Sequence, residues 1–427
     1  MLITAVCLLV ALVAAAVPVA AAMGLLGLSL TSLYSAMPLH RVLGDLAWQN
    51  GSDFLLVAIP MFVLLGEILL RTGIASGMYD GMAKWLNWLP GGLMHSNIAS
   101  SALFAATSGS SVATAATIGT VALPEIKRRR YNHRLFLGSV AAGGTLGILI
   151  PPSINLILYG LLTNTSVPAL YLAGFIPGVI LAMVFMTTIM VACMIFPSWS
   201  GIPIKVSFRQ RLAALPPLVP PLAIFVAVVG SIYAGWATPT EAAALGVVAA
   251  LFLALGYGKL SLAMLRDAVE GTMRTTAMII LIILAAIFLN FVLSVIGLTQ
   301  ALTDFIIGLG LTPLMTLLMI VVFYLILGCF METLSMLLTT APLTFPIIVS
   351  LGYDPVWFGI LLMVLLETAL ITPPIGINLY VVQGIRDKGS MSDVIIGALP
   401  FVFSMFVMIA ILIIWPQTAL WLPELFY

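Results

Sequence analysis

Two stretches of the chain combine a proline pair with an asparagine inside an otherwise apolar run. Residues 146–160 read LGILIPPSINLILYG, and residues 370–384 read LITPPIGINLYVVQG. A proline inside a helix removes a backbone donor and clashes with the preceding turn, so each stretch predicts a helix that breaks in mid-membrane. Broken backbone is tolerated at that depth only where protein or a watery cavity surrounds it. The two stretches therefore indicate a binding site of the kind that secondary transporters build from broken helices.

Two further stretches place hydroxyl groups within apolar segments. Residues 107–117 read TSGSSVATAAT, and residues 331–342 read METLSMLLTTAP. We interpret the surrounding regions, 92–125 and 314–350, as re-entrant hairpins, each made of two half-helices that enter and leave the membrane on the same side. Hairpin tips and breaks expose half-helix ends, whose free N–H groups favour anions and whose free carbonyls favour cations.

These ends predict two sites for a hard cation such as sodium, which prefers oxygen ligands from carbonyl, hydroxyl and amide groups. Gly109 and Gly376 would let the backbone turn and approach closely. The alternative is that these small and hydroxylated residues only pack helices together in lipid. The first predicted site comprises Ser108, Gly109, Ser110, Ser111, Thr145, Pro151, Pro152, Ser153 and Asn155. The second comprises Glu332, Thr333, Ser335, Thr368, Thr372, Pro373, Pro374, Gly376 and Asn378.

Three carboxylates, Glu67, Glu332 and Glu367, lie inside apolar segments. Each costs at least ~2.5 kcal/mol at the bilayer centre, so each should face protein or water. We expect a functional role for Glu332 and a structural ion pair between Glu67 and Arg71 at i+4. Glu367 is either a proton relay or a structural acceptor. Candidates for direct contact with substrate are Ser110, Ser153, Glu332 and Arg274, of which Arg274 is also explained as a positive-inside anchor.

The composition, 62% hydrophobic and 7% charged over 427 residues, predicts an all-α polytopic membrane protein. No Walker-type GxxxxGK[ST] loop is present to hold the phosphates of ATP. Transport should therefore draw on an ion gradient. Beyond the two hairpins, spans are predicted at 2–32, 54–72, 135–160, 167–196, 214–236, 239–258, 275–297, 355–384 and 392–415.

Basic residues orient this layout, because cytoplasmic loops carry the excess of Lys and Arg. If the hairpin 92–125 opens to the cytoplasm, every one of the 16 basic residues except Arg41 lies on the cytoplasmic side. The N-terminus is then predicted to be cytoplasmic and the C-terminus periplasmic. The cytoplasmic set is Arg71, Lys84, Lys127, Arg128, Arg129, Arg130, Arg134, Lys205, Arg209, Arg211, Lys259, Arg266, Arg274, Arg386 and Lys388.

Four landmarks recur at one offset of 222 residues. They are the pairs Pro151 and Pro373, Pro124 and Pro346, Tyr131 and Tyr353, and Asp45 and Asp267. By the charge assignment the two units cross in opposite senses, which is an inverted repeat. The predicted units are 1–196 and 237–427, joined by a connecting loop and span at 197–236. Amphipathic stretches at 42–47 and 260–273 are predicted to be arm helices in the membrane interface, or ordinary loop helices.

The hairpin TSGSSVATAAT followed by GILIPPSIN, and METLSMLLTTAP followed by ITPPIGIN, closely resemble the large, DctM-like membrane subunit of tripartite ATP-independent periplasmic (TRAP) transporters. The resemblance covers essentially the whole chain. It implies an ion transporter superfamily elevator fold in the bacterial inner membrane, with sodium bound at the hairpin tips and breaks named above. It also implies two partners, a small four-helix membrane subunit and a periplasmic binding protein that delivers a carboxylate or sulfonate.

Three other functions remain open from the sequence alone. A self-sufficient dicarboxylate carrier of the same superfamily would need no binding protein. A membrane-embedded enzyme would need a paired Asp, a Ser/His or a zinc set within the spans, and the sequence shows none. A channel would not need inverted broken helices. The identity of the transported anion is not encoded here, because the resemblance implies that the binding protein selects it.

Overall fold

The computed structural model describes residues 1–203, 206–386 and 388–426, so the predicted cytoplasmic Lys205 lies outside the described residues. Regular structure in that part of the chain is helical, which confirms the all-α prediction. The first half contains α1 (Leu2–Ala14), α2 (Val19–Tyr34), α3 (Leu43–Gly51), α4 (Ala58–Thr72), α5 (Ile74–Leu86), α6 (Leu93–Ser108), α7 (Ser111–Arg129), α8 (His133–Leu149), α9 (Ile154–Thr163) and α10 (Val167–Ile195). The second half contains α11 (Phe208–Leu212), α12 (Val219–Tyr233), α13 (Pro239–Gly256), α14 (Leu262–Val295), α15 (Leu298–Gly308), α16 (Pro313–Gly328), α17 (Thr333–Ser350), α18 (Pro355–Ile371), α19 (Ile377–Ile385), α20 (Met391–Ile414) and α21 (Gln417–Phe426).

Both predicted hairpins and both predicted breaks are present. The hairpins are α6–α7, which turns at Gly109, and α16–α17, which turns just before Glu332. Gly109 has a φ of 60°, a left-handed conformation that favours glycine. The breaks separate α8 from α9 and α18 from α19. Among the described residues, seven helices are long and apolar enough to cross a membrane, and the number is eight when the α8–α9 pair, bent by 40°, is counted as one span.

The helix bounds follow the 222-residue offset closely. Helices α8 and α18 begin at His133 and Pro355 and end at Leu149 and Ile371. Packing repeats as well, because α2 packs against α14 and α4 packs against α13. The offset also places α12 in the position of α1, and α12 packs against α13 as α1 packs against α2. The segment predicted as a connecting span therefore aligns with the first helix of the second unit.

The predicted single span 2–32 is wrong. The chain breaks before Pro18, with Ala16 at a φ of 54°, and α1 folds back along α2. The Thr4 Oγ1 atom lies 2.7 Å from the Tyr34 hydroxyl, so the N-terminus is at the same end as the α2–α3 connection. The charge assignment placed that connection on the periplasmic side, and a cytoplasmic N-terminus is incompatible with it.

The arm 260–273 and the span 275–297, predicted as separate elements, form one helix, because α14 runs without interruption for 34 residues. No proline interrupts residues 262–295, and Gly271 serves packing instead of a turn. A Cβ atom on Gly271 would lie 2.8 Å from Glu67 Oε2, so this glycine lets α14 approach α4. The first arm, α3, is separated from α4 by a short 3-10 helix at Phe54–Val57.

Helices α8 and α18 form the centre of the molecule. Every residue from Leu135 to Leu149 and from Trp357 to Ile371 is buried. This explains why apolar and small residues predominate all round both helices, without an amphipathic face, although α18 also buries Glu367. A buried polar chain joins α8 to its neighbours: Tyr79 donates to Asn97 Oδ1 over 2.9 Å, and Asn97 Nδ2 donates to Ser139 Oγ over 2.8 Å.

Candidate functional site

A cavity of about 730 Å³ lies where both hairpin tips meet α4 and α14. Its walls also include the start of α2 at Pro18 and both breaks, at Ile154 and Ile377. The structure thus places residues of both predicted cation sites around one cavity. The predicted residues that line it are Ser108, Gly109, Ser110, Ser111, Asn155, Glu332, Thr333 and Ser335. The other predicted residues of the two sites do not line this cavity: Thr145, Pro151, Pro152, Ser153, Thr368, Thr372, Pro373, Pro374, Gly376 and Asn378.

The first hairpin tip presses against the end of α8 and against the first break. Ser111 Oγ donates to the Thr145 carbonyl over 3.2 Å. A Cβ atom on Gly109 would lie 2.8 Å from the Pro152 carbonyl oxygen, and one on Gly147 would lie 2.7 Å from Ser111 N. Glycine is therefore required on both sides of this contact, and backbone polar groups of the tip and of the α8 end lie side by side.

The second tip is organised by one carboxylate. Glu332 is the N-cap of α17 and accepts hydrogen bonds from Leu334 N over 3.1 Å and from Ser335 N over 3.0 Å. It also accepts from Ser335 Oγ over 3.0 Å and from Thr333 Oγ1 over 3.3 Å. Glu332 therefore provides hydrogen-bond acceptors for free amides at the start of α17, within its own hairpin.

Hydroxyl groups at the two half-helix ends point back along their own helices. Thr145 donates to the Ala142 carbonyl and Thr368 to the Val364 carbonyl, both over 2.7 Å. Thr372 donates to the Thr368 carbonyl over 2.6 Å. Because a hydroxyl that donates its proton keeps two lone pairs, these threonines retain oxygen ligands near the breaks.

The asparagine of the second break reaches into the first repeat. Asn378 is fully buried, and its Nδ2 donates to the Ala141 carbonyl of α8 over 3.2 Å. Its Oδ1 has no hydrogen-bond partner among the described residues. Asn378 therefore links the second break to the first repeat, since α19 packs against α7 and α8 as well as against α18. In the symmetric arrangement α9, which carries Asn155, packs against α17 of the second hairpin.

Arg274 is not part of the cavity. Its side chain is 79% exposed and pairs with Glu270 one turn earlier. The predicted ion pair between Glu67 and Arg71 is confirmed. Arg71 also donates to the Asp267 carbonyl over 3.0 Å, and this bond ties α4 to α14.

Sequence reasoning missed the wall that α4 and α14 contribute. Glu67 lines the cavity in addition to pairing with Arg71, and Thr275 lines it from α14. Gly66 approaches the first tip, since a Cβ atom there would lie 3.2 Å from the Ser108 carbonyl oxygen. The signal for this contact was the Gly66–Glu67 dipeptide within an otherwise apolar span.

Glu367 lies away from the cavity lining, fully buried in α18. Neither carboxylate oxygen has a hydrogen-bond partner in the described part of the chain. The backbone of Leu149, at the end of α8, approaches this carboxylate, and that contact does not distinguish the two predicted roles, proton relay and structural acceptor.

Two repeated units of hairpin and broken helix around a shared internal cavity define a secondary transporter. Residues 6–418 match the family described as "Tripartite ATP-independent periplasmic transporter, DctM component". The chain belongs to this family of large permease subunits, as the resemblance implied. It is a multi-pass protein of the bacterial inner membrane and not an enzyme.

The relatives of this chain are named for several different substrates. The chain is 34% identical to the C4-dicarboxylate TRAP transporter large permease protein DctM of Rhodobacter capsulatus, over 98% of each chain. It is 34% identical to the sialic acid TRAP transporter large permease protein SiaM of Vibrio cholerae, over 88% of this chain and 87% of the relative. It is 31% identical to the isethionate TRAP transporter permease protein DctMQ of Oleidesulfovibrio alaskensis, over 87% of this chain and 58% of the relative.

The fold also resembles a solved transporter, YdaH of Alcanivorax borkumensis, with a TM-score of 0.61. The match covers 94% of this chain and 97% of the other at 16% sequence identity. At that identity the likeness concerns the fold alone, and it agrees with the all-helical architecture described above.

Proposed function

We propose that this chain is the large subunit of a TRAP transporter that takes up a small organic anion, a carboxylate or sulfonate, driven by sodium. The observation that carries the proposal is the single cavity shared by both hairpin tips and both breaks. Half-helix ends in such a cavity offer amides to an anion and carbonyls to a cation. The relatives named for C4-dicarboxylates, sialic acid and isethionate support the substrate class.

The residues present fit sodium. The ends of α8 and α18 direct their last carbonyls toward the breaks, and such groups lack helical partners. The first site would draw on the Ser111 and Thr145 oxygens together with the unpartnered Oδ1 of Asn378. The second would draw on Thr333, Ser335 and Thr368. Oxygen donors of these kinds are those that a hard cation prefers.

An elevator mechanism follows as part of this proposal. The hairpins and broken helices would move as one body against a frame in which α2 packs on α14 and α4 packs on α13. Gly66, beside the Ser108 backbone, provides a narrow contact between the two bodies. The small membrane subunit and a periplasmic binding protein would complete the transporter.

Sodium coupling is tested by reconstituting the large and small subunits in liposomes with the binding protein and its ligand. We expect an inward sodium gradient to drive uptake and ATP to have no effect, because the chain lacks a Walker loop. Uptake that survives collapse of the sodium gradient but follows a proton gradient would contradict the proposal and favour Glu332 and Glu367 as proton carriers. Uptake without the binding protein would favour the self-sufficient carrier.

We propose a periplasmic location for both termini, with 127–134 in the cytoplasm. The contact between Thr4 and Tyr34 supports this revision for the N-terminus, and the ring of Phe426 lies 6.2 Å from that of Tyr233 at the end of α12. In a variant without native cysteines, we expect Ile3→Cys and Asn164→Cys to be labelled by an impermeant maleimide from the periplasm. Asn132→Cys should be labelled only after the membrane is opened. Labelling of Ile3→Cys together with Asn132→Cys would contradict the revised N-terminus.

Replacing the asparagine that follows each break should change the sodium dependence of uptake more than it changes folding. A lost hydrogen bond in a membrane protein averages ~0.6 kcal/mol, so Asn155→Ala and Asn378→Ala should still insert. We expect each to raise the sodium concentration for half-maximal uptake. Asn97→Ala is the matched control, because it removes a buried asparagine with two hydrogen bonds outside the cavity. A normal rate of uptake together with unchanged sodium dependence in both break variants would show that the two asparagines are packing residues.

A further inference from the structure

A second cavity, of about 280 Å³, lies apart from the central one. Three segments meet around it: the last turns of α7, the start of α8 and the residues that follow α19. Its lining shares no residue with the central cavity and includes four basic side chains, Lys127, His133, Arg386 and Lys388. We call it the basic pocket. It joins the first repeat to the second at the end of the molecule that carries residues 127–134.

The loop that follows α19 holds Arg386 in place. The Arg386 Nη2 atom donates to Asp393 over 3.3 Å, and the same carboxylate pairs with Arg134 over 3.1 Å. Its Nη1 atom donates to the Ser390 carbonyl over 3.4 Å, and the guanidinium lies where a Cβ atom on Gly389 would overlap it. Only 14% of the Arg386 side chain is exposed. The pocket therefore contains a guanidinium whose position is set by the chain itself.

Two lysines of the pocket have no counter-ion. Lys127 and Lys388 are exposed, and neither forms an ion pair in the part of the chain that the structure describes. Asp393 already pairs with two guanidiniums, and Glu125, two residues before Lys127, already pairs with two other arginines. Asp387 lies outside the described residues, and one further carboxylate would still leave an excess of positive charge. An anion is therefore attracted to this pocket.

Packing of the fold does not require these charges. At the 222-residue offset, the positions equivalent to the three Lys and Arg residues of the pocket are Val349, Asn164 and Ser166. The same helix contact forms there, because α9 packs against α17 as α19 packs against α7. The positive-inside rule explains why basic residues lie on the cytoplasmic side, but it does not require them to converge on one cavity.

Apolar groups adjoin the cations. Leu123 and Ile385 line the pocket beside them. Helix α20 starts directly after the basic loop and exposes a row of large apolar side chains, Ile396, Leu399 and Phe403. Ile396 follows Asp393 by one helical turn, so this row begins beside the Arg386 guanidinium. A phospholipid has this pattern, with a charged phosphate next to glycerol and acyl chains, whereas a free phosphate compound gains nothing from the apolar groups.

We propose that the basic pocket binds the phosphate of an anionic phospholipid from the cytoplasmic leaflet, on Lys127, Arg386 and Lys388, with the acyl chains along α20. Basic pockets between membrane helices on the cytoplasmic side suit such head groups. The bound lipid links α7 and α8 of the first repeat to α19 and α20 of the second. The inference uses the cytoplasmic location proposed for residues 127–134 and does not depend on the transported substrate.

Native mass spectrometry of the delipidated complex with the small subunit tests the proposal. The probes are phosphatidylglycerol and the zwitterionic phosphatidylcholine with the same acyl chains. We expect phosphatidylglycerol to bind at least about tenfold more tightly, because only its head group keeps a net negative charge. In Lys127→Gln/Lys388→Gln its affinity should fall at least about tenfold, while that of phosphatidylcholine should hardly change. Both lysines are exposed, so this variant should fold normally.

The matched control is Lys84→Gln/Lys259→Gln, which removes the same charge from two lysines of the predicted cytoplasmic set that do not line the pocket. We expect it to lower the affinity for phosphatidylglycerol by less than about twofold, because distant surface charges are screened. Equal losses in the two double variants would show that the lipid responds to the charge of the whole surface. That result, or equal affinities of the unmodified complex for the two lipids, would overturn the proposal.

Inorganic phosphate distinguishes a lipid from a free phosphate compound. At fixed ionic strength we expect equimolar phosphate to leave phosphatidylglycerol bound, because phosphate makes no apolar contacts. Displacement would overturn the lipid assignment and give the pocket to a free phosphate compound. Thr120→Glu adds a carboxylate at an exposed position of the pocket, where the threonine hydroxyl donates only to the Ala116 carbonyl of its own helix. It should abolish the preference for phosphatidylglycerol, and Thr120→Gln should keep it. A preference that survives Thr120→Glu would place the lipid elsewhere and overturn the proposal.

Discussion

Replacement of Gly397 by alanine is expected to prevent the chain from assembling as a stable, monodisperse protein. Helices α8 and α20 cross so closely that a Cβ atom on Gly397 would overlap the carbonyl of Arg134, and one on Gly138 would overlap the carbonyl of Gly397. A backbone atom cannot rotate away as a side chain would, so the helices must separate. Overpacking of a core typically costs 1–3 kcal/mol, and an overlap with backbone should reach at least about the upper end of that range.

The neighbouring charges would be disturbed as well. Arg134 pairs with Asp393 of α20 over 3.1 Å, and Arg386 pairs with the same carboxylate over 3.3 Å. Separation of α8 from α20 would lengthen the first of these pairs. Close approach of helices through small residues is a main source of stability within lipid, where the hydrophobic effect contributes little between helices.

Thermal unfolding in detergent and size-exclusion profiles would measure the effect. Gly24→Ala is the matched control, because Gly24 lies in α2 and an added methyl group there would have no atom within 4 Å, so the change should be neutral or slightly stabilising. Gly138→Ala should behave as Gly397→Ala does. A normal profile for both substitutions would show that the α8–α20 crossing is looser in the native protein.

The elements that could be predicted from sequence are those with local causes. The breaks follow from Pro151 and Pro373, and the first hairpin turn follows from Gly109, because these residues restrict or permit backbone conformations wherever they occur. The ion pair of Glu67 with Arg71 follows from i+4 spacing within one helix. Such features depend on the neighbouring residues alone, and they carried the family resemblance.

The elements that could not be predicted depend on contacts between distant segments. Within the apolar run 2–32, Pro18 marks a break, but only the contact between Thr4 and Tyr34 shows that the two helices fold back on each other instead of forming one bent span. The close approach of α14 to α4 at Gly271 is likewise a contact between segments that are distant in sequence. The location of Asn378 against α8 requires the two repeats to interlock, and no spacing within one repeat encodes that contact.

Glu332→Ala is expected to lower the rate of uptake about tenfold or more, and to raise the sodium concentration required. The substitution removes the carboxylate at the second tip, so the Leu334 and Ser335 amides and two hydroxyls lose their acceptor. Loss of a helix cap costs about 1 kcal/mol, up to about 2 kcal/mol. A disturbance of that size corresponds to about a tenfold change in an equilibrium constant. Glu332→Gln keeps one acceptor oxygen and should retain more activity.

The variant Asp354→Ala distinguishes the effect of losing a helix cap from the effect of losing a residue of the cavity. Asp354 is the N-cap of α18 and accepts from Val356 N over 2.8 Å and from Trp357 N over 2.9 Å, but it lies outside the cavity lining. Both alanine variants lose a carboxylate cap that binds two amides, so both should lose a similar amount of thermal stability in detergent. Only Glu332→Ala changes the charge and shape of the chamber, so only that variant should shift the sodium dependence. If uptake and sodium dependence respond equally to the two substitutions, Glu332 acts as a helix cap and has no further part in transport.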